Sequence, residues 1–325
     1  MKLGIYGYGN VGKGVECAAA QNKDVEVVGI FTRRDKNTIQ SIFGNKVYNA
    51  SEIKDFKDKI DILAICGGSA TELPTMTVEL AKDFNVIDTF DTHKNIPTHF
   101  ANVDKVAKEN NHIAMISCGW DPGMFSLNRL YAEALLPNGK GYTFWGKGIS
   151  QGHSDAIRHL DGVLDAKQYT VPVQKVIDSI KNGEIKDFTT REMHTRECYV
   201  VVKDGADKAK IEQEIKSMPN YFADYDTTVN FISLEELKSK HSEMPHAGLV
   251  IRSGKTGKDN EHQHTISYSL NLDSNPEFTA MAVVAFARAL YKEKQKGTTG
   301  CLTVFDIRPR DLLDKDYQDL IKTTL

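Results

Sequence analysis

Strand-like and helix-like runs alternate along the first 118 residues. Apolar, β-branched runs at 3–6, 25–31, 61–66, 85–91 and 112–118 predict strands, while 11–20, 73–82 and 97–110 carry apolar side chains at helical spacing. That alternation predicts a parallel sheet with helices on both faces. The pattern changes after Gly123. A helix over 124–136 leads into strands at 142–145, 166–173, 198–202, 228–232, 248–253 and 265–272, with helices only at 173–182 and 206–218. Consecutive strands with few helices predict an α+β domain on an open mixed sheet, one face covered by helices. A helix over 276–294 and a strand over 301–307 are expected to return to the first domain. The division is therefore 1–118 with 276–325, and 119–275. No internal repeat or low-complexity linker interrupts it.

The turn between the first strand and the first helix reads Gly7-Tyr8-Gly9-Asn10-Val11-Gly12. A G-x-G-x-x-G run in that context is a dinucleotide site. Gly7 permits the tight turn, Gly9 lets backbone approach a pyrophosphate, and Gly12 allows close helix-to-strand packing. The helix N-terminus offers free N–H groups to the phosphates. Where the second strand ends, an NAD site places an acidic residue against the ribose 2′-hydroxyl, but here the chain reads Thr32-Arg33-Arg34. Two forked guanidiniums suit a 2′-phosphate, so the cofactor reads as NADP(H) and the first domain as Rossmann-type.

Composition narrows the partners. A net charge of −3 with no Lys/Arg block argues against nucleic-acid binding, which needs clustered cations. Cysteines 17, 66, 118, 198 and 301 form no C-x-x-C pair, as expected of reduced thiols in a cytoplasmic protein. No signal peptide and no apolar run of transmembrane length is present, so no membrane partner is expected. An open sheet leaves a face to bury, and a second copy of the chain can cover it as a homodimer. No metal site is expected. His262 and His264 alternate on a strand without further ligands at suitable spacing, Gly254-Lys255-Thr256 reads as a hairpin turn, and 54–61 as a solvated helix end.

Ligands of doubly wound sheets sit at the carboxyl ends of the strands. Three ends are chemically loaded: Cys66-Gly67-Gly68-Ser69-Ala70-Thr71, Asp88-Thr89-Phe90-Asp91-Thr92-His93, and Ser117-Cys118-Gly119-Trp120-Asp121-Pro122-Gly123. Cys66, Gly67, Gly68, Ser69 and Thr71 join the cofactor set. Asp91 and Asp121 can bind an ammonium and a water, or can simply cap the turns that follow, and position alone leaves both open.

With these blocks assembled, the chain resembles the meso-diaminopimelate dehydrogenase family nearly end to end. The specific blocks are the glycine turn with Thr32-Arg33-Arg34, Cys118-Gly119-Trp120-Asp121-Pro122-Gly123-Met124-Phe125-Ser126, Ser150-Gln151-Gly152-His153-Ser154-Asp155, Met244-Pro245-His246 and Asn275-Pro276-Glu277-Phe278-Thr279-Ala280. The resemblance implies reversible, NADP-dependent oxidative deamination of the D-centre of meso-2,6-diaminopimelate to L-2-amino-6-oxopimelate and ammonia, in lysine and diaminopimelate biosynthesis. It implies that Asp91 and Asp121 serve the reacting amine. Arg196, Thr170, His246 and Asn275 would hold the distal L-amino acid, Arg196 through paired hydrogen bonds to a carboxylate. The residues themselves, without the resemblance, favour a solvated strand charge for Arg196 and a satisfied turn histidine after Pro245 for His246. Trp120 and Trp145 can wall the pocket or be core, and His153, in a loop with Gln151 and Gly152, can relay a proton or be structural, with Gln151 and Gly152 offering substrate contacts. The first domain alone does not separate this activity from a semialdehyde or homoserine dehydrogenase, or from a non-catalytic NADP sensor.

Overall fold

The computed structural model describes all 325 residues, and the chain divides into two compact units, Met1–Leu127 with Pro276–Leu325, and Asn128–Asn275. In chain order the first unit contains β1 (Lys2–Tyr6), α1 (Asn10–Ala20), β2 (Glu26–Thr32), β3 (Val47–Asn49), β4 (Ile62–Ile65), α2 (Leu73–Leu80), β5 (Val86–Asp88), α3 (Ile96–Glu109) and β6 (Ile113–Met115). Helix α4 (Met124–Leu135) carries the chain into the second unit. There follow β7 (Gly139–Trp145), β8 (Gly148–Ile149), α5 (Gln151–Arg158), β9 (Val163–Pro172), α6 (Gln174–Lys181), α7 (Thr190–Met193), β10 (His194–Val202), α8 (Lys208–Ser217), β11 (Asp226–Phe231), α9 (Leu234–Lys240), β12 (His246–Thr256) and β13 (His262–Leu272). Helix α10 (Asn275–Gln295) returns to the first unit, which ends with β14 (Gly300–Leu302) and α11 (Tyr317–Thr324).

The first unit is a seven-stranded parallel sheet, ordered β14-β6-β5-β4-β1-β2-β3. Apolar side chains fill both of its faces. Leu3, Ile5 and Ile62 pack with Val15 and Ala18 of α1 and Val283, Val284 and Ala287 of α10, while Leu63 and Val86 pack with Leu73 of α2 and Val103 of α3. The C-terminal segment belongs here for a physical reason: Arg288 is buried and pairs with Asp24, and α10 lies so close to α1 that a Cβ on Gly14 would meet Ala280 at 2.9 Å. Strand β5 stops at Asp88, short of the expected 91, because the Asp88 carboxylate accepts the Phe90 N–H at 3.0 Å and turns the backbone. Likewise β14 ends at Leu302. Thr303 and Asp306 form a capping box that coils the next residues into a 3₁₀ turn.

The strands of the second unit form two sheets. One is mixed, ordered β11-β10-β9-β8, with β10 parallel to β11 and antiparallel to β9; the other, β13-β12-β7, is antiparallel. Ile157 of α5 and Ile211 and Ile215 of α8 cover the first against Ala166, Cys198 and Val200. Ile177 and Ile180 of α6 cover the second against Tyr142, Phe144 and Ile251. Two local expectations are corrected. Gln151, Gly152 and His153 lie in the first turn of helix α5, not in a loop, since glycine costs little there and Ser154 and Ile157 bury the inner face. Gly254-Lys255-Thr256 closes strand β12, and the turn follows it. Gly254 is needed because a Cβ would strike the Asn138 carbonyl at 2.5 Å across to β7.

Candidate active site

The glycine turn sits at the carboxyl end of β1, beside the loop that follows β4, where the strand order reverses. A cavity of about 380 Å³ is lined by Gly7, Tyr8, Gly9, Asn10, Val11, Thr32, Arg33, Arg34, Cys66, Gly67, Gly68 and Glu72. Its walls explain the glycines one by one. Gly7 has φ +95°, in the left-handed region, and a Cβ on Gly12 would lie 2.1 Å from the Gly7 carbonyl oxygen. A Cβ on Gly9 would meet nothing, so it would fill the very space a pyrophosphate needs. Gly9 also caps α1, whose first turn has no acidic side chain and no side-chain cap, so the positive end of the helix faces the cradle. These residues fit a nicotinamide dinucleotide.

Around that cradle the structure adds detail the pattern could not carry. The Thr32 hydroxyl accepts the Arg34 N–H at 3.1 Å and shapes the basic turn. Arg34 donates to the Tyr8 carbonyl at 2.5 Å, and Arg33 pairs with Glu72. Burial raises the Cys66 thiol to about 12, so it is a neutral wall and not a nucleophile. Of the sequence-derived cofactor set, Gly12, Ser69 and Thr71 do not line the cavity; Gly12 serves packing, and Ser69 turns to Asp91.

Asp91 and Asp121 sit on neighbouring strand-end loops of the first unit. The Asp91 carboxylate accepts the Ser69 hydroxyl, and the Asp91 N–H donates back to Ser69 Oγ at 2.8 Å. Asp121 lies in a compact turn in which the Gly119 N–H donates to the Pro122 carbonyl and the Phe125 N–H to that of Trp120. Trp120 is buried edge-on against Phe125, so it is part of the packing of this turn. One residue that sequence reasoning passed over ties the two loops together. Asp88, fully buried, accepts the Ser117 and Phe90 N–H groups, each at 3.0 Å, and the Thr77 hydroxyl and His99 Nε2–H, each at 2.7 Å.

The second unit gathers a separate set. Arg196 of β10 stands opposite Thr170 of β9 and donates to its hydroxyl, with its guanidinium 3.8 Å from the centre of the Tyr225 ring. It is only 6% exposed, and its Nε has no partner. Burial and the Arg196 charge push His153 down to about 4, so it is neutral at neutral pH; its Nδ1 is hydrogen-bonded to Ser150 Oγ at 2.7 Å. His194, also missed in the sequence, is pushed down to about 4 by the same causes, accepts the Trp145 N–H through Nε2 at 3.0 Å and stacks on the Trp145 ring. His246 lies against bare backbone, since a Cβ on Gly148 would fall 2.4 Å from its ring. Gln151 reaches Met244, Asn275 donates its N–H to the Met244 carbonyl, and Gly152 is exposed with open space above it. His194 had a signal, alternation with Arg196 along one strand face; Tyr225, in a loop, had none. No group of three or more His, Cys, Asp or Glu side chains is placed to hold a metal ion, and no helix is long and apolar enough to cross a membrane.

A doubly wound parallel sheet with this glycine turn at its switch point defines the class: a protein built on a nicotinamide-dinucleotide-binding fold. The family model for the diaminopimelic acid dehydrogenase C-terminal domain matches residues 119–274. The meso-diaminopimelate D-dehydrogenase of Acetivibrio thermocellus is 57% identical over 326 residues, covering 100% of this chain and 98% of the relative. The chain belongs to the meso-diaminopimelate D-dehydrogenase family. Among solved structures, a multiply substituted meso-diaminopimelate dehydrogenase of Clostridium tetani E88 with DAP aligns with a TM-score of 0.94 at 48% identity, covering 100% of this chain and 99% of the other. The Corynebacterium glutamicum DAP dehydrogenase in complex with DAP gives 0.92 at 41%, with the same coverage. An engineered D-amino acid dehydrogenase bound to NADP+ gives 0.88 at 39%, again with the same coverage.

Proposed function

We propose that this chain catalyses the reversible, NADP-dependent oxidative deamination of the D-centre of meso-2,6-diaminopimelate, yielding L-2-amino-6-oxopimelate and ammonia for lysine and diaminopimelate biosynthesis. The observation that carries the reading is Arg196. A buried guanidinium with a neutral hydroxyl and an aromatic face as its partners is costly unless an anion completes it. A substrate carboxylate supplies that anion in forked geometry. Relatives solved with DAP support this choice of substrate, and the NADP+-bound relative together with Arg33 and Arg34 supports the 2′-phosphate.

When bound, the cofactor supplies a hydride acceptor at its nicotinamide ring. The chain's residues do the rest. Asp91 and Asp121 hold the ammonium, and one of them takes its proton, because only the neutral amine has the lone pair that stabilises a developing iminium. They also hold the water that hydrolyses the imine. Arg196, Thr170, His246 and Asn275 hold the intact L-amino acid end, so that multipoint contact fixes which centre reacts. His153, neutral through burial, accepts or donates a single hydrogen bond there without adding charge. Trp145, with Gln151 and Gly152, borders the same end. Exposed apolar residues on α4, Leu130, Tyr131 and Leu135, support a homodimer through the second unit, which light scattering on the purified chain tests.

The deciding experiment follows reduced-nicotinamide absorbance with meso-diaminopimelate, its L,L and D,D isomers, and NADP or NAD. Turnover confined to the meso isomer with NADP is the expected outcome. Cofactor binding without turnover of any amino acid sinks the assignment.

A further inference from the structure

Glu72 stands where the proposed cofactor reading does not need a carboxylate. It precedes α2 and folds back into the cradle, where one oxygen pairs with Arg33 and the other accepts the Gly68 N–H at 2.6 Å. Both partners line the cofactor cavity: a guanidinium from the end of β2, assigned above to the 2′-phosphate, and a backbone amide from the loop after β4. The paired arginines therefore differ in kind. Arg34 rests on a neutral acceptor, the Tyr8 carbonyl, whereas Arg33 is matched by a full negative charge that lines the same cavity. Both contacts hold the Glu72 carboxyl below its ordinary range, the Gly68 amide foremost, so the charge is present throughout the neutral range.

We infer that Glu72 is a specificity-determining residue for the cofactor, a built-in competitor for Arg33 that limits the advantage of a 2′-phosphorylated nucleotide over an unphosphorylated one. The argument is one of charge for charge. A 2′-phosphate at Arg33 must displace or share the guanidinium with an anion already on it, and it meets that anion's repulsion. A ribose carrying only a 2′-hydroxyl asks for no such exchange. The ion pair is partly exposed, which keeps the effect modest, within about tenfold. The inference rests on the reading of NADP as the cofactor, and its test separates the two.

The test measures binding of 2′,5′-ADP and 5′-AMP, with NADPH and NADH, to the full-length chain and to Glu72→Gln and Glu72→Ala by calorimetric titration, with thermal unfolding as the fold control. Gln keeps an acceptor for the Gly68 amide and removes the charge; Ala removes both. The expected result is a 2′,5′-ADP to 5′-AMP affinity ratio raised about threefold to tenfold in both variants, with 5′-AMP itself changed less than twofold. A ratio unchanged or lowered in Glu72→Gln overturns the inference, as does a gain confined to Glu72→Ala, which would make Glu72 a latch for its loop and nothing more. A native chain that binds both nucleotides equally overturns the 2′-phosphate reading itself, a failure visible before any variant is compared.

Discussion

The dinucleotide cradle of the first unit and the arginine site of the second solve opposite problems. In the cradle, recognition is built from backbone: Gly7, Gly9 and Gly12 fall within one six-residue run, and what matters is the side chain each one lacks. In the second unit recognition is built from buried side chains, with Arg196, Thr170, Tyr225, His153 and His194 contributed by separate strands, a helix and a loop. The cradle is stable on its own terms, because it buries no unpaired charge. The arginine site holds a desolvated charge and two neutralised histidines, a costly arrangement that the proposed amino-acid ligand would relieve. Binding machinery of the first kind tolerates the loss of its ligand, and that of the second kind stores strain against it.

The strongest way to break this contrast is Arg196→Met. Losing one partner of a buried charged hydrogen-bond pair costs about 2–5 kcal/mol, so kcat/KM for meso-diaminopimelate should fall about thirtyfold to several-thousandfold. NADPH affinity should stay within about twofold, and the melting temperature should hold or rise, since an unpaired buried cation is gone. A parallel loss of cofactor affinity or of stability would show that Arg196 is structural.

Acid sharpens the same point. His153 and His194 are held near 4 in the folded chain, below the ordinary histidine value, so the unfolded chain takes up protons first as pH falls. Stability from each ring is therefore present above about 6.5 and is lost between there and about 4, by up to about 3 kcal/mol per ring. Denaturant unfolding across that window, with His153→Gln beside the native chain, measures it: the variant should show the shallower fall. Equal slopes would place His153 in a more solvated setting than its burial implies.

Smaller effects separate the glycines of the cradle. Gly12→Ala forces a Cβ onto the Gly7 carbonyl and should destabilise the fold by about 1–3 kcal/mol while also weakening NADPH binding. Gly9→Ala meets no protein atom and should leave unfolding within about 0.5 kcal/mol, yet weaken NADPH about tenfold. If Gly9→Ala bound the cofactor normally, the pyrophosphate would have to lie elsewhere.

What the amino-acid sequence determined by itself is whatever depends on near neighbours. Alternating runs specified the parallel sheet and its helices, the glycine spacing specified the turn, and Thr32-Arg33-Arg34 marked the end of β2, because all of these are local backbone and burial patterns. Short elements escaped for the same reason. Strand β3 has three residues and exists because Tyr48 stacks on Phe31, and β5 and β14 end where a side chain captures a nearby amide. Only the tertiary structure could decide which polar residues share a space. It joined Glu72 to Arg33 across 39 positions, buried Asp88 between two loops, set Tyr225 under Arg196 and drove His153 and His194 neutral. Those outcomes depend on desolvation and on contacts between distant segments, quantities that exist only once the chain has folded.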